Sequence, residues 1–257
     1  MNFETEQTSP EEIAELSFSD KFVGVFTEPS ATFENISKFK IKTIDWLIPL
    51  LISCVIIAAG NVIRMSNPAI KSSTIEMTRA QQEKQLAKYV QEKKITQEQA
   101  DKQIEQTEKF MATPLYLIIA SGGAIIGMFV FFFVFAFVYF IFGKFVFRGT
   151  GTFASALPAL GLTQLIAAIS SILAIILSVV YSKTISDGSI ASIINFSQIS
   201  SPLYLILGIL DVFMIWATVA QSIGLSKMYK TKSYIPFLIV GLAILIIFKF
   251  IAFMALK

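Results

Sequence analysis

The sequence has no histidine, one cysteine and few charges, and each scarcity excludes something. Without histidine the chain lacks the commonest general base and the commonest zinc ligand. Cys54, alone inside an apolar run, forms no internal disulfide and makes no metal site. Charged residues are 15% of the chain, against about 25% in a soluble domain. The net charge is +3, and no stretch combines dense Lys/Arg with aromatics on a solvated segment, so no nucleic-acid partner is expected. There is no Gly-x-Ser-x-Gly, no metal-ligand cluster and no phosphate-cradling loop, so no catalytic residue, cofactor or metal is assigned. The acidic start (Glu4, Glu6, Glu11, Glu12) is followed by no early apolar region, so no secretory signal is expected and the first span is read as the targeting signal.

What the chain does have is apolar side chain: 54% hydrophobic residues, 24 of them Phe. A water-facing surface cannot carry that load, whereas lipid-facing positions can. Hydrophobic stretches place spans at about 46–63, 114–142, 156–181, 202–225 and 234–256. The expected fold is an all-α polytopic membrane bundle of about five spans, a 44–257 membrane domain behind a 1–43 N-terminal segment, with a helical hairpin inserted at 68–112.

In the N-terminal segment Ser9-Pro10-Glu11-Glu12 reads as a capping box. Phe22 and Phe26 share a helical face with Phe18, and Phe33 lies on a second short helix ending near Lys38, Lys40 and Lys42. Two readings stand: interfacial helices with Phe22, Phe26 and Phe33 at the acyl boundary, or a flap packed on the protein. In the hairpin, Thr96-Gln97-Glu98-Gln99 is a capping box, and Leu86, Tyr89 and Val90 face Ala100, Ile104 and Thr107. Thr113-Pro114 opens the second span, where Gly123 and Gly127 form a small-xxx-small pair that admits a close neighbour. In the third span Gln164, Ala167, Ala168, Ser171, Ala174 and Ser178 form one stripe, read as its protein-facing side. The 182–201 connection is polar, with an apolar patch of Ile190, Ile193, Ile194 and Phe196.

The loops at 143–155 (Lys144, Arg148) and 226–233 (Lys227, Lys230, Lys232) are basic without acids and lie on the side of the N-terminus. The positive-inside rule therefore puts the N-terminus in the cytoplasm, in what is expected to be a bacterial inner membrane. The hairpin resists this, with nine Lys/Arg between 64 and 113, but acids interleave them.

Three segments resemble a known family. They are Phe22-Val23-Gly24-Val25-Phe26-Thr27-Glu28-Pro29-Ser30-Ala31-Thr32-Phe33-Glu34-Asn35-Ile36 before the first span, Phe147-Arg148-Gly149-Thr150-Gly151-Thr152-Phe153 before the third, and Gly224-Leu225-Ser226-Lys227-Met228-Tyr229 after the fourth. In order and layout they resemble the Yip-domain family, the Ypt/Rab-interacting membrane proteins, and by the short N-terminal tail its prokaryotic branch. An Asp-Leu-Tyr-Gly-Pro type sequence is missing, and Gly161-Leu162 stands where a Gly-Tyr pair is expected, so Rab-type GTPase binding is implied by the resemblance alone. The resemblance implies a non-enzymatic protein of membrane organisation or trafficking, whose partners are the lipid bilayer, a second copy or other membrane proteins.

Two ionisable residues fall inside spans, Asp211 and Lys249. Each costs about 2.5–3.5 kcal/mol at a helix centre. Counted from the turn near Tyr229, both sit ~27–30 Å away on antiparallel helices, which suggests a pair. Tyr204, Gly208, Asp211, Thr218 and Ser222 share a face, with Gln221 beside it, and Gln164 adds a polar group on the third span. One reading is a buried ion pair fixing helix register; the other is a small transporter or channel, which the absence of inverted repeats disfavours.

Overall fold

The computed structural model describes residues 14–194 and 202–255, and among these every regular element is helical. The capping box at Ser9, the acidic start, Phe196 and the last residues of the fifth span lie outside the described residues. In chain order the helices are α1 (Phe18–Thr27), α2 (Pro29–Ile36), α3 (Ile44–Ser66), α4 (Pro68–Gln91), α5 (Gln97–Met111), α6 (Pro114–Ile141), α7 (Phe153–Tyr181), α8 (Ile190–Ile193), α9 (Pro202–Ile209), α10 (Val212–Tyr229) and α11 (Ile235–Ala255). A π-helical turn, Phe142–Val146, prolongs α6.

Local chemistry sets many of these boundaries. The Asn67 side chain accepts from the N–H groups of Ala69 and Ile70 and separates α4 from α3. Thr96 and Gln99 exchange the two bonds of a capping box at the start of α5. Thr113 caps α6, with Pro114 at the first helical position, where its missing N–H costs nothing.

Among the described residues four helices are long and apolar enough to cross a membrane: Ile44–Ser66, Pro114–Val146, Phe153–Tyr181 and Ile235–Met254. Helices α9 and α10 make a fifth only as a pair, bent by 58°. This corrects the continuous fourth span read over 202–225. Asp211 leaves helical geometry (φ −123°, ψ 111°), and its carboxylate accepts from the N–H groups of Phe213 and Met214 at 3.0 and 3.1 Å. It is the N-cap of α10, a role that hydropathy does not register. Helix α10 still runs between the two ends of the bundle. Its start bonds to the connection after α7, where Ile190 N–H donates to Leu210 C=O, and at its finish Tyr229 C=O accepts from Thr150.

Helix α7 is the axis of the bundle, packed along α3 and α10. Its Gly161 lies against Trp46, with room for no Cβ. The pair read as a close-approach motif, Gly123 and Gly127, meets nothing within 4 Å. Small residues mark available space, and on α6 that space faces outward. Outward-facing apolar residues such as Ile126 and Phe137 on α6, and Ile239 and Ile251 on α11, are exposed, as lipid-facing positions should be.

The hairpin α4–α5 closes over a small core of Leu86, Ala100 and Ile104, flanked by Val90 and Ile95. Thr107 joins it by accepting from Gln82, while Tyr89 stands outside the seam. Its base is tied to the connection after α7: Arg64 donates to Ile185 C=O, and Asn67 to Ser182. At the opposite end α1 and α2 pack on the bundle beside the 147–152 and 226–233 segments. The N-terminal helices and the hairpin therefore lie at opposite ends.

Candidate functional site

The three sequence segments that carry the family resemblance meet at the N-terminal end. Phe33 of α2 is fully buried against Gly224 of α10, where any Cβ would sit 2.8 Å from its ring. This corrects the interfacial reading of Phe33. A phenylalanine on a helix face declares apolar contact without declaring whether lipid or protein supplies it. Phe26 is half-buried against the same core, and Phe22 remains exposed. Glu34 reaches across to Lys227 at 2.6 Å, and that ammonium holds the Glu34 carboxyl below the ordinary carboxylate value.

Tyr229 of the third segment is wrapped by the second, 147–153. Its ring is buried, its hydroxyl donates to Thr152 C=O at 2.9 Å, and its own carbonyl accepts from Thr150 N–H. A Cβ on Gly143, Gly149 or Gly151 would come within 2.7–2.9 Å of Tyr229 atoms. The glycine-rich connection is thus a socket for one aromatic ring. The π-helical turn places Gly143 there, and Gly149 N–H donates to Gly143 C=O to close the loop.

A buried ion pair anchors α1 that sequence reasoning did not find. Lys21 and Asp45 are 2% and 1% exposed, with Lys21 Nζ 3.0 and 3.1 Å from the two carboxylate oxygens. Glu15 bonds both Lys21 and Lys42, and these two cations lower its pKa, Lys42 first. Asp45 lies in the first turn of α3, where the helix N-terminus also favours an anion. The available signal was Lys21 sharing a helical face with Val25, four residues on.

A second polar constellation lies within the bundle. A half-open chamber of about 410 Å³ is lined by residues of α3, α6, α7, α10 and α11. Four of the sequence candidates line it: Gln164, Thr218, Gln221 and Lys249. Tyr204, half-buried on α9, and Asp211 are not among its lining residues. Nor do Asp211 and Lys249 pair. Lys249 bonds Asp187 at 2.5 Å, whereas Asp211 caps α10 and accepts from Ser170 at 2.5 Å. The two side chains lie against adjacent residues of one connection, Lys249 at Asp187 and Asp211 beside Gly188. Gly188 N–H donates to Ser170, and a Cβ there would press on Ser170 and Asp211. Asp187 was missed because it sits in a polar loop, where a carboxylate is unremarkable. Burial alone pushes the Asp187 pKa up, but the bonds from Lys249, Ser189 and Ser192 together hold it below the ordinary value.

Among the described residues no three His, Cys, Asp or Glu side chains gather as metal ligands. A family model described as the Yip1 domain matches residues 23–256. No curated protein and no solved structure matches the chain.

Proposed function

The chain belongs to the Yip1 domain family, a non-catalytic family of integral membrane proteins, and from that premise we propose a non-enzymatic role in membrane organisation or trafficking, exercised at the N-terminal end of the bundle. The observation that carries this reading is the convergence of Phe33, Gly224, Tyr229 and the 147–153 connection into one interlocked unit. Residues far apart in sequence are spent on building one end of the molecule. Beside them Lys38, Lys227 and Lys230, with Glu34 and Ser37, line a cleft of about 540 Å³. Its basic rim suits the acidic group of a membrane-protein partner or lipid headgroup. The basic loops on this side support a cytoplasmic placement, and the resemblance to the prokaryotic branch of the family suggests a bacterial inner membrane.

Affinity capture from native membranes tests the reading. Gly224→Leu drives a side chain into Phe33 and should lift α2 from the bundle. Gly127→Leu, at an open position, is the control. Partners recovered with the unsubstituted protein should persist with Gly127→Leu and disappear with Gly224→Leu. Retention of every partner by folded Gly224→Leu would place their contacts elsewhere.

The transporter reading draws on the bent α9–α10 pair beside the chamber. Flux in proteoliposomes, abolished by Gln164→Leu in a folded protein, would favour it over the organising role.

A further inference from the structure

The chamber has no part in the proposed partner face, and its chemistry specifies an occupant. Its volume falls within the roughly 300–1,000 Å³ of small-molecule sites. Phe131, Phe132 and Phe135 of α6 and Phe248 of α11 supply much of its apolar wall. The polar groups gather on α7 and α10. Thr163 and Thr218 are already committed, donating to the carbonyls of Ala159 and Met214 in their own helices. Gln221 faces the Tyr139 hydroxyl. The Gln164 amide has no hydrogen-bond partner among the described residues, though it lines the chamber. An amide at hydrocarbon depth is costly when unpaired, so this position calls for a polar atom from an occupant.

Charge narrows the class. Lys249 is the one charged residue among those lining the chamber, and Asp187 neutralises it. An ionic headgroup would therefore lose its hydration without meeting a free counter-charge. A neutral head with a carbonyl or hydroxyl would satisfy Gln164 at lower cost. Entry from the bilayer is short, because Phe131 of α6 and Phe248 of α11 line the chamber and are also exposed on the outer face, their rings in contact at a centroid distance of 5.7 Å. Aromatic side chains can change rotamer without moving either backbone.

We propose that the chamber is a binding site for a neutral lipid with a compact hydrogen-bonding head, of the diacylglycerol kind. The head bonds the Gln164 amide, and the chains pass between α6 and α11 into the bilayer.

The test uses the full-length protein in nanodiscs with a photoreactive diacylglycerol, mapping the cross-linked peptides. The expected adducts lie on the chamber-facing residues of α6, α7 and α11. Excess unlabelled diacylglycerol should suppress them and excess phosphatidylglycerol should not. Gln164→Leu, similar in size but without the amide, should weaken labelling about five-fold, the worth of one net hydrogen bond. Ala167→Phe, which fills the chamber, should reduce it further. Should Ala167→Phe fail to fold, Gln164→Leu and the competition in the unsubstituted protein still decide the matter. Labelling spread over the exposed faces of α6 and α11, equal competition by the charged lipid, or indifference to Gln164→Leu in a folded protein would each overturn the proposal. The last result would leave water as the group that satisfies Gln164.

Discussion

Two ion pairs differ in burial, and burial decides what each is worth. Lys21 and Asp45 are almost wholly withdrawn from solvent. Removing one charge strands the other, which costs about 3–5 kcal/mol when a buried pair is broken. Lys21→Met should therefore lower detergent melting markedly, and hydrogen exchange in α1 should rise with it. Unchanged melting would mean that Asp45 is satisfied without Lys21. Lys249 and Asp187 keep 25% and 34% of their side chains exposed, so Lys249→Met should cost less, about 1–2 kcal/mol after solvent screening. The pH dependence follows from the lowered Asp187 pKa. Its contribution is fully present above the unfolded value, ordinarily 3.8, and is lost as pH falls through the lower folded value. Melting curves below about pH 4 should show this loss in the unsubstituted protein. In Asp187→Asn the same acid range should remove less stability.

Among the elements, α10 shows what a hydropathy profile leaves out. The apolar run from Pro202 onward makes a membrane segment legible, but the profile treats Asp211 as one polar residue on a face. Its actual work is to end one helix and start another. The capping geometry predicts that charge is secondary. Asn caps nearly as well as Asp, so Asp211→Asn should melt close to the unsubstituted protein, whereas Asp211→Ala should lose about 1–2 kcal/mol. Equal losses in both variants would show that the carboxylate charge matters more than the cap. The caps at Thr96 and Thr113 were legible because Gln99 and Pro114 mark them at fixed offsets. Phe33 was not, since its partner is a glycine nearly two hundred positions away and periodicity carries no information about distant partners.

For the whole molecule, the helical membrane bundle was legible because bilayer thickness imposes a length and composition on every crossing. The candidate polar residues were legible as costly groups at hydrocarbon depth. Their pairing was not, because matched depth leaves rotation about the helix axis free, and Asp187 lay in a loop outside the spans considered. Opposite ends for the N-terminal helices and the hairpin, together with basic loops on the N-terminal side, predict a definite sidedness. In a Cys54→Ala background an impermeant maleimide should label Gln97→Cys in intact cells and Ser30→Cys only after permeabilisation. The reverse pattern would invert the protein in its membrane.

The proposal that the N-terminal end is a partner face is tested most directly by cross-linking in living cells from a photoreactive side chain placed at Lys38, with the same group at Gln97 for comparison. Discrete protein adducts should form from position 38, vanish when Gly224→Leu is added, and not form from position 97. Adducts from position 97 alone, or adducts from position 38 that survive Gly224→Leu in a folded protein, would contradict it.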